Sequence, residues 1–372
     1  MRRAQSRNFP KLPKSRPTRR NFSDTLWAAS HAKHASFVIA EVDPAIHEAR
    51  QQRQTFRRGT WTAIMDARVK RAHDDGEEML WAVFTLIAAA AQTARNAMQR
   101  ELTAILGTVG ATHVRFLFGF PFALLFLVGV LIATGEVLPS PPNVFWLWVI
   151  AGAFTQIAAT ATMLSVMGQR SFVVAYAYIK TEPVHVALFG LVFLGDKITP
   201  LSAAAILLAT AGVIVISLKG GIEERPTLRS TIIGIVSGAL FGLSAIGYRG
   251  AILALHLSDF VVAATFTVAV GLVIQAAVLS LYLALWDAKV LHAIAAAWRP
   301  SLFAGFMGAF ASEFWFLAFA ITTAANVRTL ALVEVLFAQG VTRFVFKQPT
   351  TQREAFGIVL VVIGVALLVW SH

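Results

Sequence analysis

Glu182 and Glu334 lie inside long apolar stretches, where few other residues carry charge. A charged side chain at a bilayer centre costs at least about 2.5–3.5 kcal/mol, so such residues face a bundle interior or a watery path. Lys180 and His185 flank Glu182, and Glu313 lies two residues from Trp315. Tyr178, Glu182 and His185 are spaced to share one helix face. Lys180 falls about 200° from Glu182 on the same helix. It is therefore expected to pair across helices, with Glu313 or Glu334. Pro183 lacks an N–H and leaves the Ile179 carbonyl without its helical partner. A kink there would open backbone polarity beside Glu182, as in the broken helices that line intramembrane sites. A carboxylate in low dielectric favours its protonated form. Such a cluster suits proton coupling or the binding of an amine, and Lys180 extends this to a zwitterion such as an amino acid. The alternative is a buried structural ion pair, with His185 and Trp315 serving packing alone.

A second polar line runs through Gln92, Arg95, Asn96 and Gln99, at i, i+3, i+4 and i+7. That spacing is one helix face, pointing into a bundle or vestibule. The alternative is a helix ending near Arg95, with the arginine snorkelling to the interface. Snorkelling is also the expectation for Arg115 and Arg343.

The elements that position these residues follow from composition. The chain has 372 residues, 57% hydrophobic and 14% charged, with a mean hydropathy of +0.66. Soluble domains are about a quarter charged, so this is a polytopic helical membrane protein. It has no cysteine, which removes disulfides, thiolate nucleophiles and Cys-based metal sites. Of the net charge of +12, residues 1–78 supply +7, from 16 Lys/Arg against 9 Asp/Glu. They hold no apolar run long enough for a span. They read as a basic disordered extension or as a mis-called start before Met79. A nucleic-acid arm and a tail held to anionic headgroups are the functional alternatives.

From Met79 onward, apolar stretches of about 20 residues follow one another, each long enough to cross the hydrocarbon. Five lie near 79–98, 113–134, 144–164, 171–194 and 200–218. Five more lie near 231–250, 259–286, 301–321, 325–346 and 354–370. Trp81, Trp146, Trp148, Trp286, Trp298 and Trp370 fall near span ends, where indoles sit at headgroup level. Gly357 and Gly364, one heptad apart, let helices approach closely. A shift of 152 residues pairs Glu182 with Glu334, Thr199 with Thr351, and Gly212-Val213 with Gly364-Val365. An odd number of spans per copy inserts the second copy upside down. Inverted repeats point to a secondary transporter with its site near the midplane.

The fourth and fifth spans read AYAYIKTEPVHVALFGLVFLGDKITPLSAAAILLATAGVIVIS. This resembles the closing pair of an EamA domain in the drug/metabolite transporter (DMT) superfamily. The shared features are a mid-span proline (Pro183), a Leu-Gly-acid turn (Leu194-Gly195-Asp196), then Thr199 and a Gly212-Val213 exit helix. Asp196 stands where Glu is usual. The second copy departs further, with Lys347-Gln348 at the turn and Val335 in place of proline. The resemblance spans residues 79–370 and implies ten-helix carriers that move small metabolites or drugs across an inner membrane.

The expected architecture is thus an all-α polytopic membrane protein of ten transmembrane helices, arranged as two inverted five-helix repeats over 79–220 and 221–372. The expected activity is secondary transport of an amino acid, amine or drug-like compound, by export and with proton coupling. Glu182, Glu334 and Lys180 form the expected centre, lined by Tyr178, Glu313, Trp315, His185, Gln92 and Arg95. The alternative is a membrane-embedded enzyme acting on a lipid-linked substrate. No GxxxxGK[ST], GxSxG or HExxH motif occurs, so ATPase, serine-protease and zinc-protease chemistries are not expected. Neither a cofactor nor a metal is expected. The expected partners are a small-molecule substrate and membrane lipid, with a homodimer left open and no nucleic acid. The expected location is a bacterial-type inner membrane. Basic residues number ten in odd-numbered connections against three (Lys197, Arg249, Arg328) in even-numbered ones. That bias places both termini outside, whereas the resemblance implies cytoplasmic termini.

Overall fold

The computed structural model describes residues 80–96, 98–99, 101–167, 178–217, 228–337, 339 and 351–371. All of them lie within the unit Asp74–His372. The basic segment 1–78, Arg343, Lys347 and Gln348 lie outside the described residues. Regular structure among the described residues is entirely helical. Helix α1 covers 80–96 and α2 covers 101–117. After a turn at Phe118-Gly119 come α3 (Phe120–Thr134), α4 (Asn143–Met167), α5 (Glu182–Phe189), α6 (Pro200–Ser217) and α7 (Leu228–Ala254). The chain continues through α8 (Phe260–Trp286), α9 (Ala288–Ala296), α10 (Trp298–Ile321), α11 (Ala324–Leu330) and α12 (Gln352–Trp370). Seven helical stretches are long and apolar enough to span a membrane: Glu101–Thr134, Asn143–Ser165, Pro200–Ser217, Thr231–Ala254, Phe260–Trp286, Trp298–Ile321 and Gln352–Trp370.

The outer surface is apolar because its solvent is hydrocarbon. Ile132, Leu147, Leu285 and Phe356 are all exposed. The bundle is held by close helix contacts as well as by apolar burial. Helix α4 packs along α7, and α6 along α12. In the second seam, a methyl group added to Gly212 would stand 2.7 Å from the Gly357 carbonyl oxygen and 2.8 Å from the Val361 nitrogen. In the first, one added to Gly247 would stand 2.7 Å from the Gly152 nitrogen. Dispersion and small-residue complementarity drive such contacts in lipid, where apolar burial between helices gains little.

Three local readings of the sequence change. Residues 101–112 are helical, so the second apolar helix begins well before 113, with Leu102 and Leu106 buried. Trp81 is buried against the main core instead of lying at the interface. Arg115 is also buried, 3% exposed, and does not snorkel. Of the other end-of-span indoles, Trp146, Trp286, Trp298 and Trp370 are exposed and Trp148 is half-buried.

Two of the shorter helices are interrupted. In the first, the chain turns at Lys180-Thr181, with the Thr181 N–H donating to the Tyr178 carbonyl (3.1 Å). Helix α5 then starts at Glu182, with Pro183 in its first turn, where a missing N–H costs least. A π turn at Gly190–Leu194 ends this segment. In the second, α11 tightens into a 3-10 turn at Ala331–Val333, and Glu334 follows at once. Each glutamate therefore sits directly after a break in its helix.

Candidate functional site

The two interrupted segments meet through their charges. The Lys180 ammonium, from the first, hydrogen-bonds the Glu334 carboxylate of the second. The Arg328 guanidinium, from the second, stands with Nε 3.0 Å from Glu182 Oε1 of the first. This second contact is an ion pair at that distance without an aligned hydrogen bond. All four side chains are largely buried. Two charges removed from water need each other, because breaking a buried pair leaves an uncompensated charge.

Beside the pairs lies a small cleft, part of it continuous with solvent. Its polar lining is Gln92, Arg95, Asn96, Arg115, Gln156, Lys180, Glu182 and Arg328, and its apolar walls are Met163, Ile179, Phe241 and Trp315. Trp315 bridges the halves of this lining. Its indole N–H donates to Gln92 Oε1 at 3.2 Å, and the Arg328 guanidinium lies 4.5 Å over its ring. Arg328 also approaches the Phe319 ring, at 5.4 Å. One guanidinium thus meets a carboxylate and two π faces, a use of a planar cation that lysine cannot match. Arg95 Nη2 donates to Asn96 Oδ1 at 2.8 Å. Gln156 accepts from the Tyr248 hydroxyl (3.2 Å) and from Gln275 Nε2 (2.8 Å), which fixes its orientation in the wall.

Of the residues singled out from sequence, Gln92, Arg95, Lys180, Glu182 and Trp315 line this cleft. Glu334 stands behind Lys180 as its partner. The other three are not in its lining. The break at Lys180-Thr181 ends the helical register that would have put Tyr178 on the Glu182–His185 face. His185 Nδ1 lies 3.1 Å from the Thr181 carbonyl oxygen, and its ring packs against Phe189. Glu313 faces α8 and takes a hydrogen bond from the Thr265 hydroxyl. The Lys180 partner is Glu334; Glu313 meets a hydroxyl instead. Gln99, the last of the first-helix polar line, donates to the Ala111 carbonyl at 3.1 Å.

Arg328 and Arg115 are the important additions. Both are buried and line the cleft. Sequence alone read Arg328 as a connection charge and Arg115 as an interfacial one. The signal for Arg328 was its place inside the apolar run 325–346, six residues before Glu334. Arg249 leaves the connection tally too. It is mostly buried, 3.6 Å from Asp196, and its Nε donates to the Thr322 carbonyl at 2.9 Å. Among the described residues, no group of three or more histidines or acids gathers that could hold a metal ion.

Comparison with known proteins adds family and fold. The sequence profile of the EamA-like transporter family matches residues 79–218. No curated protein matches the chain. Among solved structures, one titled only "Crystal structure of protein" superposes with a TM-score of 0.60 at 14% identity, covering 78% of this chain and 96% of that one. At that identity the likeness concerns fold alone. Together with the apolar helices, which make this an integral membrane protein, the profile match shows that residues 79–218 are similar to the EamA-like transporter family, which belongs to the DMT superfamily.

Proposed function

We propose that the protein is a secondary active transporter, which moves a small metabolite across a bacterial-type inner membrane by alternating access. The observation that carries this reading is the meeting of two interrupted helices. Each presents a glutamate directly after its break, and each supplies the base for the other's acid. Discontinuous helices facing each other at a polar cleft are how secondary transporters build a site that two halves can open alternately. The 152-residue shift pairing Glu182 with Glu334 supports two inverted five-helix halves over 79–220 and 221–372, ten spans in all. Export is the direction proposed.

Substrate binding is assigned to Glu182, Arg328, Lys180, Trp315, Gln92 and Arg95. Because Glu182 and Glu334 are engaged in ion pairs, proton coupling is assigned to Glu313. Its described partner is the neutral Thr265 hydroxyl, and Oε2 has no hydrogen-bond partner among the described residues.

The test is uptake by proteoliposomes bathed in an isotope-labelled metabolite extract, with the vesicle contents read by mass spectrometry. One solute, or a small set, should enter vesicles carrying the wild-type protein and not those carrying Arg328→Gln. If no solute separates wild-type from empty vesicles, the protein is not a carrier of these metabolites and the proposal fails.

A further inference from the structure

One buried base beside the cleft bears on what the cleft holds. Lys180 and Arg328, both in its lining, each meet a carboxylate, Glu334 and Glu182 respectively. Arg115, also in the lining, is the revealing member. It is 3% exposed, on helix α2. Its Nη1 donates to the Thr160 hydroxyl at 3.4 Å, a long and neutral contact. Its guanidinium carbon lies 5.2 Å from the neighbouring Phe116 ring. Its Nε has no hydrogen-bond partner among the described residues, and no carboxylate among them pairs with it.

Burying a guanidinium costs several kcal/mol or more unless an anion compensates it. Arginine cannot shed its charge to escape that cost. An anion occupying the cleft would supply that compensation. A planar five-donor fork is matched by the paired oxygens of a carboxylate or phosphoryl group. The remaining walls, Met163, Ile179, Phe241 and the face of Trp315, suit a short hydrocarbon part.

We infer that the substrate is a small organic anion whose carboxylate or phosphoryl oxygens are held by Arg115. This rests on the transport reading and narrows it. Amines are disfavoured, because both carboxylates near the cleft already have cations and an added positive charge would meet Arg115.

The test is thermal unfolding and tryptophan fluorescence of the purified full chain in neutral phosphatidylcholine nanodiscs. The probes are succinate, glycerol phosphate, inorganic phosphate and putrescine at equal ionic strength. Succinate or glycerol phosphate should raise Tm by about 2 °C or more at saturation and change the fluorescence, while putrescine should do neither. Arg115→Lys keeps the charge without the fork and should weaken binding about tenfold. Arg115→Gln should abolish it. Inorganic phosphate acting as strongly as either organic anion would overturn the organic-substrate assignment. Stabilisation by added phosphatidylglycerol and by none of the soluble anions would assign the cleft to a lipid headgroup and overturn it too. Binding of putrescine, or anion binding unchanged in both Arg115 variants, would equally sink the inference. The labelled-extract uptake separates this from the parent reading. A cationic solute that accumulates leaves transport standing and removes the anion, whereas no accumulation removes transport itself.

Discussion

The two interrupted segments, 178–194 and 324–337, do the same job by different means. In the first, a turn at Lys180-Thr181 and a proline in the next helical turn break the helix. In the second there is no proline, and the α-helix tightens into a 3-10 turn before Glu334. The acids correspond under the 152-residue shift, but the bases do not. Lys180 precedes its glutamate by two residues and Arg328 by six; the shift carries Lys180 onto Leu332 and Arg328 onto Tyr176. What the two segments share is a carboxylate placed directly after an interruption. Which cation answers that carboxylate is free to differ, as long as it comes from the opposite segment.

The sharpest way to break this comparison is to remove one base. Arg328→Ala leaves Glu182 buried without its cation and uncovers the Trp315 ring. It should abolish transport and destabilise the fold by about 3–5 kcal/mol, read as a lowered Tm and lost uptake. Pairing Arg328→Gln with Glu182→Gln should recover most of that stability but none of the uptake, since the pair is then neutral on both sides. Recovered uptake would mean that the pair only holds the segments together.

Next in size is the α6–α12 seam. Gly212→Leu would drive a side chain into the backbone of Gly357 and Val361, and overpacking of this kind costs about 1–3 kcal/mol. A drop in Tm with the salt dependence of uptake unchanged would show that the seam is structural and the charge pairs are functional. Glu313→Gln is expected to act on a different axis. It should flatten the pH dependence of net uptake while leaving exchange of labelled for unlabelled solute close to wild type. Loss of both would place Glu313 in binding. The smallest effect is expected for Trp315→Phe, which keeps a ring under Arg328 but loses the hydrogen bond to Gln92. Its uptake should fall about fivefold, in line with one neutral hydrogen bond of about 1 kcal/mol, measured as initial rates.

Much of the membrane architecture could be read from hydropathy, because lipid demands apolar runs of a fixed length. Rare charges inside such runs named Glu182, Glu334 and Lys180, and the helical spacing of Gln92 and Arg95 put both on the cleft side. What the sequence could not give was geometry across helices. The face shared by Tyr178, Glu182 and His185 assumed an unbroken helix, and the turn at Lys180-Thr181 removed that assumption. Arg115 and Arg328 sit near the ends of apolar runs, where snorkelling is the cheaper solution for an isolated helix. Packing across helices makes burial the outcome, with Glu182 facing Arg328 and the Thr160 hydroxyl facing Arg115. Glu313 looked like a partner for Lys180 because both are charged, but their helices turn them to different neighbours.

The central claim is that crossed ion pairs from two broken helices form a transport site, and a charge exchange addresses it most directly. Lys180→Glu and Glu334→Lys would each be made singly and then together, and uptake from the labelled extract measured in proteoliposomes. Each single change puts two like charges in contact and should abolish uptake; the exchanged pair should restore a measurable fraction of it, for the same solute. Uptake that survives either single change, or that never depends on the protein at all, would contradict the account.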